Sequence, residues 1–178
     1  RKLGYFLINK GINPGDKVCV FSPNRYEWWV ADLAILSIGA VNVPIYATNS
    51  AEESRYVIEN SDAVMCFTAT KDHTSKIVSI KSKTPNLREI ISFDPVEKPI
   101  DGVIELKDAF KQGAAAPKAD EFDKRIKGIK NTDMATIIYT SGTTGNPKGV
   151  MLSHNNFFAN VQQIYSVDPE LFKRALEL

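Results

Sequence analysis

The sequence predicts an α/β fold: a parallel sheet with helices on both faces, followed by a strand, a glycine-rich loop and a second strand. Three observations predict it. Short apolar runs at residues 17–21, 41–46, 63–67 and 89–93 are separated by stretches with helical periodicity, the pattern of βαβ units with right-handed crossovers. The first run, Lys17-Val-Cys-Val-Phe21, is apolar on both faces, as a parallel strand covered by helices on each side must be. A second pair of apolar runs, residues 135–139 and 150–152, flanks a segment of glycines and hydroxyl residues, which reads as a hairpin with a long turn.

Size and composition set bounds. The 178 residues are about one domain, enough to bury roughly 70% of the unfolded surface. Hydrophobic content of 43% and charged content of 24% are those of a soluble globular protein, and a net charge of +1 offers no field for nucleic acid or an anionic membrane. There is no signal peptide and no run of about 18 apolar residues, so neither secretion nor a transmembrane segment is expected; the chain opens within a helix at Arg1. Cys19 and Cys66 lie inside apolar runs and read as small buried hydrophobes in a reducing compartment. The expected location is cytoplasmic, free or peripheral to a membrane.

Leu3, Phe6 and Leu7 followed by Gly11 predict the end of a helix with a glycine cap. Asn13-Pro14-Gly15-Asp16 predicts a tight turn before the first strand. Asn24 with Glu27 is read as a capping pair for a buried helix running through Trp28, Trp29, Leu33 and Leu36 to Gly39. The two tryptophans are assigned to packing rather than to base stacking. Ser50-Ala-Glu-Glu53 is a capping box for the next helix. Residues 76–83 predict another helix with Ile77 and Ile80 inward, and His73 is placed on the surface. Residues 95–130 are less regular, with Pro99, Pro117 and a run of alanines. Lys124, Arg125, Lys127 and Lys130 stand beside Asp120, Glu121 and Asp123, a solvated helix face rather than a basic patch. Ser153 is expected to cap a helix through Phe157, Phe158, Val161 and Ile164.

The chemistry sits in Tyr139-Thr-Ser-Gly-Thr-Thr-Gly-Asn-Pro-Lys-Gly-Val150. Gly142, Gly145 and Gly149 let backbone N–H groups approach an anion by taking positive φ. Thr140, Ser141, Thr143 and Thr144 can donate to phosphate oxygens or supply an oxygen to Mg²⁺, and Lys148 supplies a positive charge. A Walker A loop needs a Gly-Lys-Ser/Thr end opening a helix. Here Pro147-Lys148-Gly149 leads into strand-like residues, so both the P-loop and the Rossmann patterns fail. His154 either reaches back to the loop or satisfies a local hydrogen bond.

These twelve residues resemble the signature of the adenylate-forming superfamily, which contains acyl-CoA synthetases, luciferases and peptide-synthetase adenylation domains. The resemblance implies that the loop holds the outer phosphates of ATP while a carboxylate attacks the α-phosphorus, giving an acyl-adenylate and pyrophosphate; coenzyme A then displaces AMP. Gly39-Ala-Val-Asn-Val-Pro-Ile-Tyr46 and Arg55-Tyr-Val-Ile-Glu-Asn-Ser-Asp-Ala63 are similar to the long-chain fatty acyl-CoA ligase branch. ATP, a fatty acid and coenzyme A are then the substrates, with Mg²⁺ held by Thr140 or Thr144 and phosphate bound by Thr140, Ser141, Gly142, Thr143, Thr144, Gly145 and Lys148. An aryl, short-chain or amino acid substrate, or a non-catalytic nucleotide-binding module, are the alternatives.

On this resemblance residues 1–94 form a βαβ subdomain, 95–131 a variable connector and 132–178 the loop hairpin and following helix, all within one incomplete N-terminal AMP-binding domain. The family's magnesium-binding glutamate, ribose-binding aspartate and C-terminal lysine fall downstream. No catalytic residue is therefore expected within these 178 residues, and on their own they are expected to be inactive. From Ser166 the sequence departs from the family into a polar tail, residues 168–178. Two histidines and two separated cysteines assemble no catalytic triad and no metal cluster.

Overall fold

Strand β1 (Lys17–Phe21) occupies the middle of the sheet, with β2 (Val41–Ile45) on one side and β3 (Met65–Thr68) on the other, both parallel to it. Beyond β3 come β4 (Glu89–Ser92) and β5 (Val103–Glu105), also parallel. Beyond β2 come β6 (Met134–Thr140), parallel, and β7 (Lys148–Ser153), antiparallel to β6. The structure is a computed structural model that describes residues 1–140 and 146–167. Its sheet has the order β5-β4-β3-β1-β2-β6-β7, so the predicted parallel sheet and terminal hairpin are one continuous layer.

Alternation along the strands feeds two cores, because successive side chains point to opposite faces. Val18, Val20, Met65, Phe67 and Ile91 enter one apolar cluster with Leu3, Phe6 and Leu7 of α1 (Lys2–Asn9) and with Ala31 and Ile35 of α2 (Tyr26–Ser37). Cys19, Phe21, Val43, Cys66 and Ile90 enter the other with Val57 and Ile58 of α3 (Ala51–Asn60) and Ile77 of α4 (Lys71–Ile80). This is why the central runs are apolar on both sides. Cys19 and Cys66 are buried free thiols on adjacent strands, as the sequence implied.

Several local expectations are corrected. The region 95–130 is regular: it supplies β5, α5 (Leu106–Ala115) and α6 (Ala119–Gly128). The small residues that read as a loop are what bring α5 against α1, since a Cβ at Gly113 would stand 1.9 Å from the carbonyl oxygen of Lys2. Helix α4 starts at Lys71 rather than 76, and His73 is 7% exposed rather than on the surface. Its ring lies edge-on to Phe21 at 4.3 Å. Thr70 Oγ1 accepts from the His73 N–H while the ring Nδ1 faces the Thr70 N–H, a capping box with histidine in the place of glutamate.

Helix α2 is not capped by Asn24, and it is not buried all round. Arg25 holds the N-cap position, and its guanidinium pairs with Glu27 at 2.6 Å and Asp94 at 3.0 Å, so Glu27 is drawn to that cation. Trp29 and Leu33 remain 59% and 61% exposed. Finally, Arg125 is not part of a solvated face: it donates to the Ile12 carbonyl at 2.6 Å and to Glu121 at 2.8 Å. Lys124, Lys127 and Lys130 are exposed as expected. The last described helix is α7 (His154–Val167); the polar tail 168–178 lies outside the described residues. No helix among the described residues is long and apolar enough to cross a membrane.

Candidate functional site

The β6–β7 register places Thr140 opposite Lys148, Tyr139 opposite Gly149 and Ile138 opposite Val150. Thr140 and Lys148, both exposed, therefore stand as a facing pair at the mouth of the glycine-rich loop. Lys148 is the first residue of β7, a position on the sheet itself. Ser141, Gly142, Thr143, Thr144 and Gly145, the remaining predicted phosphate ligands, lie outside the described residues.

Gly149 is glycine for a different reason from the one the sequence suggested. It is a strand residue and is not among the glycines with positive φ. A Cβ there would stand 2.8 Å from Ile137 Cγ2 and 3.2 Å from Tyr139 Cζ, so close packing requires it.

Two tethers hold the limbs of the hairpin to α3. Tyr139 donates its phenol hydrogen to Asn60 Oδ1 at 2.7 Å, and Tyr56 donates to the Pro147 carbonyl at 3.1 Å. The two rings meet edge to face with centroids 6.2 Å apart. Burial pushes the Tyr139 phenol up to about 12, so it remains a hydrogen-bond donor at physiological pH. Neither tether was anticipated, because the partners are 79 and 91 residues apart in sequence. The spacing of Tyr56 and Asn60, four apart on one helix face, was the only local hint.

His154 is at the other end of β7. Six residues of strand at about 3.3 Å each put it roughly 20 Å from the Lys148 end. Its backbone N–H donates to the Asp133 carbonyl at 3.1 Å, and it borders a cavity of about 450 Å³ lined also by Trp28, Asp32, Asn42, Thr136 and Phe157. Asn42 Nδ2 donates to Asp32 Oδ1 at 2.7 Å, and burial raises the Asp32 carboxyl above the ordinary range. Asn42 Oδ1 is buried without a partner. The neighbouring Ser153 donates from both its N–H and its hydroxyl to Asn156 Oδ1 at 2.8 Å, so Asn156 reaches back over the start of α7. Among the described residues no group of three or more His, Cys, Asp or Glu is placed to hold a metal.

Comparison with known proteins fits this geometry. The model of the family described as AMP-binding enzyme matches residues 1–175. A long-chain-fatty-acid–CoA ligase, FadD15, of Mycobacterium bovis is 38% identical over 172 residues, which are 97% of this chain and 28% of that protein. The long-chain-fatty-acid–CoA ligase ACSBG2 of Xenopus laevis is 35% identical over 151 residues, 84% of this chain and 20% of its own length. Among solved structures, a putative long-chain-fatty-acid CoA ligase from Rhodopseudomonas palustris superposes with a TM-score of 0.75 at 18% identity, covering 93% of this chain and 38% of that one. The chain thus spans less than a third of the length of these curated relatives. A sheet in this order, a glycine-rich hairpin at its edge and a family match over nearly every residue lead to one conclusion: the chain belongs to the AMP-binding enzyme family.

Proposed function

We propose that this chain is the N-terminal part of an ATP-dependent fatty acyl-CoA synthetase. The observation that carries the proposal is the facing pair Thr140 and Lys148 at the mouth of a glycine-rich loop in a chain of the AMP-binding family. The fatty-acid class is supported by the names of the relatives and by Pro44-Ile45-Tyr46. In this reading all three segments, 1–94, 95–131 and 132–178, belong to one incomplete AMP-binding domain, supported by the single sheet that runs through them.

A carboxylate oxygen of the acid attacks the α-phosphorus, the bond to the bridging oxygen breaks, and pyrophosphate leaves. The thiol of coenzyme A then takes the acyl group and AMP departs. This chain's contribution is to hold the leaving phosphates. Lys148 supplies a cation, backbone N–H groups of Gly142 to Gly145 and the hydroxyls of Thr140, Ser141, Thr143 and Thr144 supply donors, and their alignment before reaction stabilises charge on the departing pyrophosphate. Mg²⁺ carried by the phosphates would take few protein oxygens and keep several waters; the Thr140 or Thr144 hydroxyl would supply one of them, and the carboxylate ligand that the resemblance implies falls downstream of these residues. A cytoplasmic location, free or at a membrane surface, belongs to the same proposal, supported by two free buried thiols.

ATP–pyrophosphate exchange by the complete parent protein tests this reading. Exchange that depends on palmitate and exceeds that with acetate, benzoate or an amino acid is expected. Exchange driven by one of the other acids instead would reassign the substrate, and no exchange with any acid would leave a nucleotide-binding module.

A further inference from the structure

We infer that the face formed by α2, β7 and α7 is the seat of the polypeptide that follows this chain in its parent protein; the inference rests on the proposal above that the chain is part of a longer synthetase. Three features of the face converge. Helix α7 has no buried residue along its 14 positions, yet Phe157, Phe158, Val161 and Ile164 recur on it with helical spacing, each 41–53% exposed. Strand β7 is the last strand of the sheet, paired on one side only, and Val150, opposite the cavity-lining Ile138 and so on the same face as it, is 45% exposed. Helix α2 adds Trp29 and Leu33, four residues apart and more than half exposed.

Between α2 and α7 the cavity of about 450 Å³ is walled mainly by apolar side chains, among them Trp28, Leu36, Pro44 and Phe157. Scattered exposed apolar residues are normal, but a contiguous patch of this kind marks a contact surface. An isolated helix of this length is marginal in water, so α7 needs a second surface to pack against besides β7.

The occupant is set by chain length and connectivity. The relatives carry more than two thirds of their residues outside the matched region, and α7, the last described helix, lies on the face itself. A segment tethered there meets the face at a local concentration in the millimolar range, which a second copy in dilute solution does not reach. Apolar side chains make up most of the patch, with Asp32 and His154 in the cavity wall, so the segment that seats on it presents a largely apolar face of its own, and the open edge of β7 accepts a further strand.

Thiol labelling of the complete parent chain tests this. Leu33→Cys and Val150→Cys place reporters on the face, Asp120→Cys places one on exposed α6, and the native Cys19 and Cys66 are buried. The first two are expected to react with a water-soluble maleimide at least tenfold more slowly than the third, at every protein concentration. Equal rates would overturn the inference. So would protection that disappears on dilution to nanomolar, which makes a second copy the occupant, or protection gained only with phosphatidylcholine–phosphatidylserine vesicles, which makes a membrane the occupant. Should a cysteine variant fail to fold, amide hydrogen exchange of β7 and α7 in the unmodified complete chain gives the same answer, with rapid exchange of α7 counting against it. None of these readouts involves an acid or ATP. Loss of pyrophosphate exchange with the face still covered would therefore defeat the functional proposal alone.

Discussion

Tyr56 of α3 and Pro147 at the exit of the glycine-rich loop are joined by a hydrogen bond of 3.1 Å from phenol to carbonyl. The residue after Pro147 is Lys148, so the lysine's backbone is fixed to a helix on the sheet face and not only to its partner strand. Together with the bond from Tyr139 to Asn60, this makes α3 the support on which the hairpin rests. A cation that must meet phosphate oxygens repeatedly in one geometry benefits from such a support.

Replacing Tyr56 by Phe removes the tether and keeps the ring against Tyr139. The expected loss of stability is about 0.5–1.5 kcal/mol, the net value of one such bond, with faster amide exchange confined to residues 148–150. Unchanged exchange there would show that the hairpin holds itself.

Gly149→Ala is expected to destabilise by about 1–3 kcal/mol, as overpacking does, because the new methyl would meet Ile137 and Tyr139. Denaturant unfolding measures it. A neutral result would mean that β7 moves away from β6 at little cost.

Much of this was legible in the sequence, and the failures have physical causes. The strands of the doubly covered sheet announced themselves because burial on both faces leaves only apolar residues, as in Val18-Cys19-Val20-Phe21. The Ser50 to Glu53 box was readable because both partners are local. His73 was misplaced because its buried site is built by Ala47 and Phe21, distant in sequence. The α5 helix was missed although Leu106, Ala109, Phe110 and Gly113 recur at helical spacing, because Gly113 and the alanine run before Pro117 read as a loop; Gly113 is small to let α1 approach. At the site, the glycine- and hydroxyl-rich loop stood out by composition, whereas the tyrosine tethers depend on tertiary contacts that no local pattern encodes.

Burial sets a pH dependence. The Cys19 thiol is pushed up to about 12 and that of Cys66 well above its ordinary value, both by desolvation. In the unfolded chain thiols ionise near roughly 8.5, so the stabilisation is fully present below that pH and is lost as pH rises towards 12, where the unfolded state has already released its protons. The urea midpoint is expected to fall steadily from pH 8 to 10. At pH 8 neither cysteine should react with iodoacetamide until the protein unfolds. Rapid alkylation of the native protein would contradict the burial of this pair.

On the proposed function, Lys148→Ala in the complete parent protein is expected to remove a charge-assisted hydrogen bond to phosphate, about 1.5–3 kcal/mol, or roughly a tenfold to hundredfold loss in acyl-adenylate formation. Lys148→Arg keeps the charge and is expected to retain a larger share of the rate. A rate for the alanine variant within twofold of the parent would remove Lys148 from the site.

The central claim is that this hairpin holds the triphosphate, and a crystal structure of the complete enzyme with ATP and magnesium tests it most directly. The account predicts the outer phosphates against residues 140–148, with Lys148 Nζ in ion-pair contact and a threonine hydroxyl near the metal. Nucleotide bound elsewhere, with the space before Lys148 holding only water, would contradict it.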